Sequence, residues 1–192
     1  MADPTPFTLE ESARRLGHYA WTEARLFELI GGWVATVPEI DVKLRIAPHS
    51  HHHAWHADLW RGCLPKLREM AADDLIRPAG PDVDAFVAAL AEPQAPELTI
   101  EKLVGAYRVA VPHLVAAYTH HQGRTSAVAD APTIRTLGIV LRDELDDWRE
   151  GELALQTLLR TPADVARAAA RQAELESVLV AAGGIVGTGS IG

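Results

Sequence analysis

Five of the nine histidines fall between positions 49 and 56, in His49-Ser50-His51-His52-His53-Ala54-Trp55-His56. On a helix, His52 and His56 lie one turn apart, and His53 and His56 share nearly one face. Neutral imidazoles so spaced are what one helix contributes to a transition-metal site. The run is internal, is interrupted by Trp55, and leads into the amphipathic Asp58-Leu59-Trp60-Arg61, so it does not read as an affinity tag. Two glutamates offer oxygen donors. Glu23 sits in the middle of an apolar stripe, Leu16, Ala20, Phe27, Ile30 and Val34. Glu144 sits in the same way among Leu137, Leu141, Trp148, Gly151 and Leu155. A carboxylate turned into a core is costly unless it is paired, protonated or bound to metal. Asp147 follows Glu144 by one turn. The expected metal ligands are therefore Glu23, His52, His53, His56, Glu144 and Asp147.

Each element also has a plainer reading. Glu23 and Glu144 could lie at the stripe edge or pair with Arg25, Arg108 or Arg142. The consecutive His51, His52 and His53 fan around a helix, so at least one faces solvent. His56, beside Trp55 and Trp60, could be a hydrogen-bonded core histidine. His113, His120 and His121 are expected at the surface near a helix end, where imidazolium suits the dipole. Asp143, Asp146 and Glu150 are expected to form a solvated acidic face. Cys63 reads as a small buried apolar residue, and the five tryptophans as core.

The elements that must position these groups are helices. Thr8 and Glu11 form a capping box for the first, which breaks at Val37-Pro38. A second runs from about Glu39 to Leu64, bent or restarted at Pro48 and closed or kinked by Pro65. Arg77-Pro78-Ala79-Gly80-Pro81 is a turn, after which Asp82 caps a short helix carrying Val83, Phe86, Val87 and Leu90. A third long helix spans roughly Thr99 to His121, with Leu103, Tyr107, Ala110, Leu114 and Ala117 on one face and a kink at Pro112. Asp130 caps a fourth, reaching Leu159 with Pro132 in its first turn. Thr161-Pro162 starts a last helix carrying Val165, Ala169, Leu175, Val178 and Leu179. Alternating strand patterns are nearly absent. The fold class is all-α, a helix bundle with additional short and C-terminal helices, in one domain over 1–182 and a flexible tail over 183–192.

The 192 residues suffice for one sizeable core, and a net charge of −8 argues against a nucleic-acid partner. A single cysteine fits a reducing, cytoplasmic setting, and neither a signal peptide nor a membrane span is expected. No phosphate loop, dinucleotide glycine pattern or nucleophile elbow is present.

Three segments resemble the ferritin-like superfamily: Tyr19-Ala-Trp-Thr-Glu23-Ala-Arg-Leu-Phe-Glu28, His52-His-Ala-Trp-His56-Ala-Asp-Leu-Trp60 and Leu141-Arg-Asp-Glu-Leu-Asp-Asp-Trp-Arg-Glu-Gly-Glu152. The resemblance covers roughly residues 8 to 160 and extends to small bacterial ferritin-like proteins of mostly unassigned function. It implies a four-helix bundle with an iron or manganese pair, held by one Glu from each of two helices and Glu-x-x-His from each of the others. Glu23 fits the lone Glu of the first helix, and His56 fits the His of the second. His53 stands where the pattern has Glu, and Asp147 where it has His. The third helix offers only Tyr107 or His113. These departures leave three alternatives: an atypical His-rich site for one or two ions, a metal-free enzyme centre, or a satisfied hydrogen-bond network. The expected function is a non-haem iron (or manganese) oxidase or oxygenase acting on a small organic metabolite in specialised metabolism. Its catalytic groups would be His56, Tyr107 and Arg108, the last neutralising a carboxylate or a substrate anion. The alternative is a metal-independent enzyme or binding protein with His56 as general base, oriented by Glu23 or Glu144. The last helix packs on the bundle or on a second subunit, and a homodimer is the expectation.

Overall fold

Thr8 opens the first helix. Its hydroxyl accepts the Glu11 N–H while the Glu11 carboxylate accepts the Thr8 N–H, so two orphan donors are satisfied. The computed structural model describes residues 5–66, 68 and 70–187. Helix α1 (Leu9–Thr36) runs through Gly31-Gly32 and stops at Val37, ahead of Pro38. Its buried stripe takes Leu26 and Trp33, while Phe27, expected inside, is exposed. Gly17 lets another segment approach: a Cβ there would lie 2.1 Å from the Leu75 carbonyl oxygen.

Helix α2 (Ile40–Cys63) does not restart at Pro48. The proline cannot donate to the carbonyl of Leu44, but Leu44 lies on the solvent side, where the lost hydrogen bond costs least. The helix ends at Leu64, extended as a residue before proline prefers. A short α3 (Ala72–Leu75), which the sequence reading did not include, follows. Helix α4 (Pro81–Ala91) starts two residues earlier than expected, with Gly80 rather than Asp82 in the capping position.

A 3₁₀ turn (Pro96–Leu98), α5 (Thr99–Val104), a π-helical segment (Gly105–Ala110) and α6 (Val111–Gln122) form one continuous run. The irregularity expected at Pro112 thus precedes it, as a wider turn around Tyr107. Helix α7 (Ala131–Leu158) begins after Asp130, whose carboxylate accepts the Ser126 N–H instead of capping the helix. Helix α8 (Pro162–Ala181) has a Thr161–Asp164 capping box.

At its end, Gly184 N–H donates to the Leu179 carbonyl and Gly183 N–H to that of Val180, with both glycines at positive φ. This is a Schellman ending, and it folds Ile185 and Val186 back into buried positions. Residues 183–187, the start of the expected flexible tail, are therefore packed. The rest of that tail, like the first four residues, lies outside the described residues.

Among the described residues the chain is all-helical, with no strand. Helix α1 lies along α2, while α2 and α6 both pack on α7. Helix α8 packs on α4, α5 and the π segment, burying Ala168, Leu175 and Leu179 rather than Val165 and Ala169, which are exposed. No helix among the described residues is long and apolar enough to cross a membrane.

Candidate metal centre

The apolar stripes of α1 and α7 carry Glu23 and Glu144 inward, where both are fully buried. Helix α2 delivers His53 and His56 from two successive turns, also fully buried. Glu23 Oε2 lies 2.6 Å from His53 Nδ1, and Glu144 Oε1 lies 3.1 Å from His56 Nδ1. The pairs cross-link: His53 Nδ1 is 3.3 Å from Glu144 Oε1, and His56 Nδ1 is 3.6 Å from Glu23 Oε1. One donor atom from each residue falls within 4.8 Å of the other three. Neither glutamate pairs with arginine: Arg25 meets Glu28, Arg108 meets Glu152, and Arg142 faces Asp143.

Burial opposes the positive charge on His53, but the carboxylates of Glu144 and Glu23 outweigh it and raise its pKa to about 10. Burial likewise opposes the charge on His56, yet Glu23 and Glu144 lift it to about 11. Burial alone would raise Glu23, but His53 and His56 hold it well below the carboxylate range. The centre is thus balanced in two ways. Two imidazolium protons offset two carboxylates, and one divalent ion with neutral imidazoles offsets them equally well. One buried atom suits the second state: Glu144 Oε2 makes no hydrogen bond. The residue types fit a transition ion with mixed nitrogen and oxygen preference.

An outer layer holds these groups. The Tyr118 hydroxyl donates to Glu23 Oε1 at 2.5 Å. Tyr118 packs against Tyr19 of α1 and Trp60 of α2, with ring centroids 4.7 and 5.2 Å away. His56 Nε2 lies 3.3 Å from Asp143 Oδ2. Asp143 is therefore turned partly inward, not into the solvated face expected of it, whereas Asp146 and Glu150 are exposed.

Two expected ligands stand apart from the four-residue group. His52 Nδ1 lies 2.9 Å from Asp147 Oδ2, and the pair sits nearer solvent, with the His52 side chain 34% exposed. Tyr107 is buried and bonded to His49, with its hydroxyl 2.7 Å from Nδ1. Its ring packs flat on Gly151, where a Cβ would fall 2.2 Å from ring atoms. Burial lowers the His49 pKa and raises those of Tyr107 and Asp147. Arg108 does not reach the centre. It makes a two-pronged ion pair with Glu152, at 2.7 and 3.0 Å, on the wall of a cleft of about 840 Å³. Leu145, Trp148 and Leu153 give that cleft its apolar surface, and none of the four central residues lines it.

The sequence reading missed Tyr118 and His49. Tyr118 lies four residues beyond Leu114, and His49 precedes His53 by four, so helical spacing held both signals. His121, expected at the surface, is buried with Nε2 3.3 Å from Ser12 Oγ, and burial lowers its pKa to about 4. His113 reaches Glu176 at 2.9 Å rather than the centre. Cys63 is only partly buried, with Sγ 3.2 Å from Thr136 Oγ1. Trp55 is exposed, unlike the core position expected of it. Comparison of the chain with protein-family profiles, with curated proteins and with solved structures finds no match in any of the three.

Proposed function

We propose that this chain is a ferritin-like, non-haem metal protein that oxidises a small organic molecule, with iron (or manganese) held by Glu23, His53, His56 and Glu144. The observation that carries the reading is the convergence of those four fully buried donors within 4.8 Å. Two carboxylates on α1 and α7 facing an imidazole pair on α2 parallel the ferritin-like arrangement, with His53 in place of the usual Glu. Bound by these four residues, iron would supply dioxygen activation. The protein's part is to exclude water, fix the Glu23 carboxylate through Tyr118, and hold a proton at His56 against Asp143. The 840 Å³ cleft beside Arg108 has the size and apolar lining of a small-molecule site, though none of the four donors lines it.

A second reading has one specific observation behind it. The two imidazoles are already matched by the two carboxylates, so the centre is electrically complete without metal. On that reading His56 works as an acid or base in a metal-free enzyme or binding protein. Oxygen uptake separates the two. Protein loaded anaerobically with ferrous iron, desalted and mixed with aerated buffer is expected to consume dioxygen, and His56→Ala to consume none. Equal uptake by both proteins, or none by either, would remove the oxidase reading.

A further inference from the structure

One turn along α2 and α7 from the central group, a second set of donors has no role in the function proposed above. His49 is 1% exposed, and its Nε2 makes no hydrogen bond. That atom stands 3.5 Å from Asp147 Oδ1 and 3.5 Å from Glu150 Oε2. Such a distance is long for an N–H···O bond. It is close to the separation of two ligands on one ion: bonds of about 2.0–2.2 Å at tetrahedral angles put neighbouring donors about 3.4 Å apart. The other ring nitrogen of His49 faces the Tyr107 hydroxyl at 2.7 Å. In the tautomer where Nδ1–H donates to that oxygen, Nε2 carries a lone pair, the usual support of a metal-bound histidine. Asp147 has its own support in His52, whose Nδ1 lies 2.9 Å from Oδ2 and 3.1 Å from Oδ1.

We propose that His49, Asp147 and Glu150 hold a second divalent transition-metal ion, separate from the four-residue centre, with Tyr107 and His52 as its outer supports. The three donors do not converge as tightly as the central four, so Glu150, 56% exposed, must swing onto the ion. It also lines a cleft of about 400 Å³ with Asp41 and Arg45, which gives the ion a route from solvent. Three protein ligands leave the fourth position to water or a small ligand, as in reactive rather than structural sites. The inference does not depend on the oxidase reading, since it uses none of the central ligands.

The test is a titration of the full chain with cobalt(II), followed by its visible absorption and by equilibrium dialysis. Wild type is expected to bind two ions. Glu150→Gln, a change at an exposed side chain, and His49→Gln should each remove or weaken the second by on the order of tenfold or more, leaving the first intact. Tyr107→Phe, which keeps the ring against Gly151, should weaken the same ion by roughly 10- to 100-fold. In His56→Ala the second ion should remain, so failure at the central site and failure here give different patterns. Two ions, or one, bound with the same affinity in wild type, Glu150→Gln and His49→Gln would overturn the proposal, as would no binding by wild type.

Discussion

Along α2 and α7, imidazoles meet carboxylates twice: at His53 and His56 against Glu144, and a turn away at His49 and His52 against Asp147 and Glu150. The helices are antiparallel, and in both clusters the α2 histidines stand three residues apart, but α7 answers the first with Glu144 and the second with Asp147 and Glu150. Their surroundings differ. The first is sealed, with Glu23 from α1 and with Tyr118 packed on Tyr19 and Trp60. The second reaches solvent through His52 and Glu150. In the sealed cluster every charge must be answered inside the protein, by a proton or by a metal. In the rim cluster water answers part of it. The same histidine spacing thus yields two sites with different energetics.

The largest expected effect comes from unbalancing the sealed cluster. Glu23→Ala leaves two buried imidazoles facing one carboxylate and strips Tyr118 of its acceptor. It should cost the metal-free protein about 3–5 kcal/mol in urea unfolding, the range for breaking a buried ion pair. A loss below about 1 kcal/mol would mean that the centre is more solvated than its burial indicates. Next in size is Gly151→Ala, whose methyl group has no room beside the Tyr107 ring. It should cost about 1–3 kcal/mol in the same assay and should loosen His49 while sparing His53 and His56.

The pH dependence separates the metal-free and metal-bound states. His53 and His56 have folded pKa values raised above the ordinary 6.5, so their contribution is complete below 6.5 and is lost as pH rises toward 10 and 11. Glu23 is depressed from 4.5, so its contribution holds above that value and is lost only at strongly acid pH. Metal-free protein should therefore be most stable between about pH 4.5 and 6.5 with respect to these groups and weaken toward pH 9. Affinity for a divalent ion should change the other way, rising with pH as the imidazole protons are displaced. Calorimetry in buffers of different ionisation enthalpy checks this through protons released on binding. The smallest effect is expected at Arg108→Ala, far from both clusters in function. Its part-exposed pair with Glu152 should be worth up to about 1 kcal/mol, and metal content should not change.

The central donors were legible in the sequence because a carboxylate inside an apolar stripe, and histidines at helical spacing, are anomalies of pattern. Glu23, Glu144, His53 and His56 all stood out that way, and the structure brings them together. His49 did not, because Pro48 suggested a break where α2 is in fact continuous, with the missing hydrogen bond turned to solvent. Tyr118 was hidden by a stripe read through Ala117 instead of through Leu114 to the residue four beyond. Placing Asp147 and His52 at the rim rather than the centre required knowing how α2 and α7 are rotated against each other. That rotation depends on packing partners distant in sequence, such as Tyr107 against Gly151. The all-helical class followed from caps and periodicity, whereas no cap or period in the sequence marks the π segment.

The measurement that bears most directly on the central claim is metal analysis of tag-free protein after anaerobic iron loading and desalting, for wild type beside His56→Ala. The sealed centre predicts that the variant retains about one ion fewer per chain than wild type, because a three-donor remnant with an unbalanced charge holds iron poorly. Equal iron in the two proteins, or none in wild type, would contradict a metal held by Glu23, His53, His56 and Glu144.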